Sequence, residues 1–244
     1  MQRLYSKSKI MFTLVFIFIY MIGASITDIV SALVGIPHLF TIIFLLTLST
    51  ILIKFLRKTQ LLEFYGICPP KIEAKKVLFY LPLLVLVATN LFLGVTLRLS
   101  ITRTLLFVVK MGFVAFLEEL IFRGFLFKSM AKDNVKTAVI VSSVTFGAGH
   151  IINLFNGSGM GIVANLCQII SAIAVGFLFT IIFIKVKSLY PMIIYHFLIN
   201  SVSAFVAREA TYIEQIISAA AVLILTVLYS AYIIKFVKEK KVSK

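Results

Sequence analysis

Acid is scarce in this chain. Nine of the 244 residues are Asp or Glu, against 24 Lys and Arg, and only 14% of all residues are charged. A soluble domain of this length lacks the interior to hide a 61% hydrophobic fraction and a mean hydropathy of +1.10. There is no polar stretch long enough for a separate soluble domain, no internal repeat and no low-complexity tract. Cysteine is nearly absent. Cys68 and Cys167 have no metal-ligand spacing, and one falls in a predicted loop and the other inside a predicted helix, which argues against a disulfide. Alternation of apolar and polar residues is also missing, which excludes a membrane barrel.

Long apolar runs of about 20 residues take their place, and that is the length an α-helix needs to cross a bilayer. The pattern predicts an all-α polytopic membrane protein of about eight transmembrane helices, forming one domain over residues 1–244. The spans are placed at about 10–30, 36–56, 77–97, 101–127, 137–155, 163–184, 189–207 and 214–236. The first run follows Arg3, Lys7 and Lys9. It is longer than the apolar part of a signal peptide, and Ala24-Ser25 is a poor cleavage site, so it reads as a retained helix. The longest connection is 57–76, with Gly66, Pro69 and Pro70. The segment 153–162, with Gly157, Gly159 and Gly161, reads as a mobile outer loop.

A net charge of +15 raises the question of nucleic acid, and the distribution answers it. The basic residues sit in short clusters between apolar runs. Nineteen Lys and Arg fall at the N-terminus and around 54–76, 128–136, 185–187 and 235–244, whereas the alternate loops hold Arg98, Arg103 and Arg208. This asymmetry is the positive-inside signal, not a nucleic-acid surface. It places both termini on the cytoplasmic side, and only an even number of spans preserves the alternation. Lys238, Lys240, Lys241 and Lys244 then face anionic lipid headgroups.

Ionisable side chains inside membrane helices are costly and call for explanation. The fourth run contains Glu118, Glu119 and Arg123, the fifth His150 and the seventh His196. Glu119 and Arg123 are four apart, acid first, and can neutralise each other on one helix face. Glu118 is turned about 100° away on the helical wheel and is free to face the bundle interior. His196 and Asn200 share a face, as do Phe146 and His150. At about 1.5 Å per residue the three groups lie ~10–20 Å from the cytoplasmic end of their helices, deep enough to meet in the cytoplasmic half of the bilayer. One carboxylate and two imidazoles in a low-dielectric pocket suit activation of water, by general base or through a bound metal. Taken one at a time, these residues have plainer readings: Glu119–Arg123 as a structural pair, Phe146 as packing, Asn200 as interhelical glue. His38, beside Pro37, reads as interfacial, and Lys110 as a snorkelling side chain.

Together the residues resemble a known family. Glu118-Glu119-Leu-Ile-Phe-Arg123 fits EExxxR, Phe146-Gly-Ala-Gly-His150 fits FxxxH, and His196-Phe-Leu-Ile-Asn200 fits HxxxN. These are the motifs of the CAAX protease and bacteriocin-processing (CPBP, or Abi) family of intramembrane endopeptidases. The likeness covers about residues 78–207. It implies an eight-helix core and hydrolysis of a peptide bond in a membrane-associated protein or peptide near the cytoplasmic face. It further implies that Glu118 and His150 activate the attacking water while His196 and Asn200 stabilise the oxyanion, with Glu119, Arg123 and Phe146 in support. The family is often labelled metal-dependent. Glu118, His150 and His196 are the residues that would hold zinc, and a mechanism without metal stays equally open. Bacteriocin or peptide processing, or self-immunity in a bacterial cell membrane, are the settings the family suggests. Two other classes use the same residues: a non-catalytic scaffold or regulator, and a small proton-coupled transporter. The transporter is disfavoured because inverted repeats and broken helices are not evident in the sequence.

The charge asymmetry generates a first prediction. A reporter fused to the C-terminus is expected to behave as cytoplasmic, and an exported signature in a fusion assay would reverse the topology.

Overall fold

The computed structural model describes residues 1–89, 91–156 and 159–238. Gly157 of the predicted outer loop and Lys240, Lys241 and Lys244 of the basic tail lie outside them. Among the described residues the chain is helical, and its one β contact is an isolated antiparallel bridge between Val95 and Val206. A short helical turn, Gln2–Lys7, precedes α1 (Lys9–Val34), whose first turn is capped by Ser8 accepting from the Met11 amide. The remaining principal helices are α2 (Leu39–Lys58), α3 (Leu81–Ala88), α4 (Ile101–Glu118), α5 (Val135–Ala148), α6 (Ile162–Val186), α7 (Tyr190–Val202) and α8 (Tyr212–Phe236). A capping box of Thr211 and Glu214 starts α8.

Among the described residues, six helical stretches are long and apolar enough to cross a membrane. They are α1, α2, α6, α8 and two composite stretches, 74–93 and 135–154. The protein is therefore an all-α polytopic membrane protein. The two other predicted spans are the fourth, which holds both Glu118 and Glu119, and the seventh, which holds His196. Arg103, Lys110 and Glu118 fall within the 18 residues of α4, and α7 has only 13 residues. Large apolar side chains point outward, among them Phe18, Leu33, Ile213 and Leu228, as expected where hydrocarbon is the solvent.

Two expectations are corrected. The third span, 77–97, is not one helix. Leu78, Phe79 and Tyr80 all have positive φ, at 51°, 50° and 59°, and α3 begins afresh with Pro82 in its first turn. The apolar run hides this break because hydropathy is blind to backbone conformation. The Val77 carbonyl next to the break accepts from the Tyr229 hydroxyl at 2.6 Å, so the polar group freed there is satisfied. The seventh span, 189–207, ends early. After α7 a 3₁₀ turn, Ser203–Phe205, gives way to extended backbone. There Thr96 donates its amide to the Phe205 carbonyl, and Ala207 to that of Gly94. The fifth span is present at 135–154, with its last turns, Gly149–Leu154, in 3₁₀ form.

The long 57–76 connection is folded onto the ends of α6 and α7. Leu189 donates its amide to the Gly66 carbonyl, Lys71 to that of Val186, and the Ser188 hydroxyl to that of Cys68. Gly66 has φ +81°, and a Cβ there would lie 2.4 Å from the Phe183 ring, so both backbone and space require glycine. Cys68 and Cys167 are free thiols.

Within lipid, helices gain little from burying apolar surface on each other, so close packing of small residues matters more. Helices α5 and α6 show this. A Cβ at Gly147 would lie 2.3 Å from Ile173 Cγ1 and 2.8 Å from its backbone nitrogen, and one at Gly176 would lie 3.2 Å from Ser143 Cα. Gly149, two residues from Gly147, has open space around it. Gly147→Ala is therefore expected to lower the thermal midpoint of the detergent-solubilised protein, because backbone must move to admit the methyl. Gly149→Ala is expected to leave it within error. Equal midpoints for the two variants would contradict this account of the α5–α6 contact.

Candidate active site

The site is built from α1, α4, α5, α6 and α7 together with one π-helical segment. After Glu118 the chain continues without interruption, but Glu119–Phe127 is a π-helix, bonded i to i+5. All nine of its residues are buried. The change of helix type falls between the two glutamates, and they diverge there. Glu118 lines a cavity of about 730 Å³, whereas Glu119 does not and is fully buried.

Glu119 is the centre of a dry polar cluster. Its Oε1 accepts from Arg123 Nη1 at 3.1 Å and from His196 Nδ1 at 2.8 Å. The Arg123 side chain is also wholly buried. Its Nε and Nη2, and Glu119 Oε2, have no hydrogen-bond partner among the described residues. The flat guanidinium instead lies on the Phe146 ring, 4.0 Å from its centroid, with Phe179 at 5.7 Å. Desolvated contacts of this kind contribute about 2 kcal/mol. Phe146 is more than packing. Its ring also meets His196 at 5.8 Å and His150 at 5.3 Å, both edge to face. A further link satisfies the π-helix itself, with Ser142 of α5 donating to the Phe122 carbonyl at 3.0 Å.

Glu118, His150, His196 and Asn200 all line the same cavity. The second nitrogen of His196 lies 3.5 Å from Glu118 Oε2, so the ring stands between the two glutamates. His150 is held differently. Its Nδ1 donates to the Phe146 carbonyl at 3.1 Å, and its own carbonyl accepts from Asn165 at 2.9 Å. A neutral imidazole so bonded keeps its Nε2 as an acceptor.

Sequence reading misses three participants. Tyr20 of α1 donates its hydroxyl to Glu118 Oε1 at 2.6 Å, across a separation of 98 residues. Phe179 of α6 backs both Arg123 and His196. Asp28 of α1 pairs with Lys110 at 3.3 Å and accepts from Thr41 at 2.6 Å, with His38 Nδ1 at 3.5 Å. Lys110 is thus a buried ion-pair partner rather than a snorkelling side chain, and His38 packs on Phe107. An unpaired acid on one apolar run and an unpaired base on another were the available signal. Among the described residues no three His, Cys, Asp or Glu side chains are grouped to hold a metal ion. A zinc ion bound by Glu118, His150 and His196 would require those three side chains to draw together around it.

Residues 100–202 match the family model described as Type II CAAX prenyl endopeptidase Rce1-like. No curated protein and no solved structure matches the chain. Its apolar helices make the chain an integral membrane protein. The matched segment holds all three motifs, and it is similar to the CAAX protease and bacteriocin-processing family.

The buried cluster predicts unequal behaviour of neighbouring charges. Arg123→Ala leaves Glu119 charged in a dry site, a loss of about 3–5 kcal/mol, and is expected to lower both membrane abundance and thermal midpoint. Glu118→Gln, facing a cavity, is expected to keep both near wild type. Normal abundance of Arg123→Ala would contradict the structural role of the pair.

Proposed function

We propose that the chain is an intramembrane endopeptidase that hydrolyses a peptide bond with water activated by Glu118 and His150, the oxyanion being held by His196 and Asn200. One observation carries this reading. The four side chains, from α4, α5's 3₁₀ extension and α7, converge on a single cavity, although no local backbone geometry brings three helices together there. A scaffold has no need of that cavity, and a collapsed cluster would have favoured one.

In the proposed reaction Glu118 takes a proton from a water also bonded to His150 Nε2. The water oxygen bonds to the carbonyl carbon, and the carbonyl oxygen becomes the oxyanion. His196 donates to it in its imidazolium form, with Nδ1–H held by Glu119 and Nε2–H turned to the cavity beside Glu118. The Asn200 amide is a donor with no proton to lose, which suits an oxyanion hole rather than base chemistry. When the intermediate collapses the C–N bond breaks, and the proton held by Glu118 passes to the leaving nitrogen. The physiological setting we favour is processing of a membrane-associated peptide precursor.

Loss of a general base typically costs about 10²–10⁴-fold in rate. Glu118→Gln is expected to show that loss, and uncleaved substrate peptides are expected to accumulate in its membranes when their peptidomes are compared with wild type. Adding His150→Ala to Glu118→Gln is expected to cost little more, since residues acting as a unit are non-additive. Full cleavage by Glu118→Gln would end this reading.

A further inference from the structure

The family match spans residues 100–202, yet the only side-chain hydrogen bond to Glu118 among the described residues comes from α1, outside that span. Helices α1 and α4 run antiparallel along facing walls of the cavity. Tyr20, Met21, Ala24 and Asp28 line one wall, and Phe107, Lys110, Val114 and Glu118 line the other. Two side-chain links cross between them: Tyr20 to Glu118 and Lys110 to Asp28.

These two links are in register. Going from Tyr20 to Asp28 is eight residues up α1, and going from Glu118 to Lys110 is eight residues down α4. At 1.5 Å per residue each step is about 12 Å along the axis, so the two crossings are parallel rungs. Asp28 is further tied to α2 by the Thr41 hydroxyl at 2.6 Å. Shifting α1 by one residue would rotate Tyr20 about 100° away from Glu118 and would at the same time break the ion pair.

We propose that Tyr20 is a positioning residue for Glu118, and that the Asp28–Lys110 pair holds α1 in the register that delivers the Tyr20 hydroxyl to the carboxylate. The inference rests on the reading of Glu118 as the base. A carboxylate torsion is broad and roughly two-fold, so an unanchored Glu118 samples many orientations. With Oε1 committed to Tyr20, Oε2 is the oxygen left towards His196, at 3.5 Å. The hydroxyl thus selects which carboxylate oxygen is offered to water. The chain's first helix, lying outside the matched segment, becomes part of the active site, and Lys110 and Asp28 acquire a role without touching substrate.

The test uses full-length protein in detergent and the peptide that accumulates in Glu118→Gln membranes. Tyr20→Phe is nearly isosteric and is expected to keep normal abundance and KM, while kcat falls by up to about 10²-fold, as for a slight misplacement of a catalytic group. In the Glu118→Gln background the same change is expected to cost nothing further, a result that a purely structural tyrosine would not give. Asp28→Asn is expected to lower kcat in the same way, and Asp28→Asn with Tyr20→Phe is expected to be no worse than Tyr20→Phe alone. Wild-type kcat in Tyr20→Phe overturns the positioning role, and additive losses in the Asp28–Tyr20 double variant overturn the register role. If Glu118→Gln itself cleaves, or no peptide accumulates, the assignment of Glu118 as base fails instead.

Discussion

The carboxylate of Glu119 holds the site together. One oxygen accepts from the guanidinium four residues along its own helix and from an imidazole 77 residues away. Placing a carboxylate and a guanidinium in a fully buried environment costs several kcal/mol per ion unless geometry and hydrogen bonds offset it. The Phe146 face contributes to that offset, since it accepts the guanidinium where hydrogen-bond partners are lacking among the described residues. The cluster thereby joins α4's π-helical continuation, α5 and α7 at one point. Orientation of His196 follows from it, and Glu118, on the next face of the helix, is left to line the cavity.

The surroundings make such a cluster effective. Hydrocarbon gives helices little reason to associate by apolar burial, so contacts that depend on shape and polarity set their arrangement. Gly147 and Gly176 let α5 and α6 approach to backbone distance, which holds Phe146 and Phe179 against Arg123. The backbone pairing of 94–96 with 205–207 ties the end of α7 to the segment after α3. His196 and Asn200 are therefore supported beyond both ends of their short helix, with the 57–76 connection at the other end.

Much of this was legible in the sequence, for reasons that can be named. Apolar runs report membrane helices because the bilayer imposes length and composition, and α1, α2, α6 and α8 follow from that alone. The divergent directions of Glu118 and Glu119 follow from helical geometry, as does the pairing of Glu119 with Arg123. Composition carried no trace of the positive-φ residues 78–80, because Leu, Phe and Tyr are apolar in any conformation. The π-helix at 119–127 was equally hidden, since a wheel assumes one period throughout. Tyr20 lay beyond reach for another reason. A tyrosine in an apolar run is unremarked until its partner, 98 residues on, is known to stand opposite. The link from Glu119 to His196 escaped notice because each residue already had a reading of its own.

The spacing of the polar cluster also bears on how the protein is made. A ribosome adds residues at about 5–20 per second. The 77 residues between Glu119 and His196 therefore take roughly 4–15 s at that rate. During that interval α4 must enter the membrane without the imidazole that later completes its site. Arg123, one turn further along the same helix, is the only partner of Glu119 synthesised together with it, so the two charges can enter the bilayer as a neutral pair. The cluster exchanges that temporary self-sufficiency for its final set of contacts only when α7 arrives, and until then the cavity lacks His196 and Asn200.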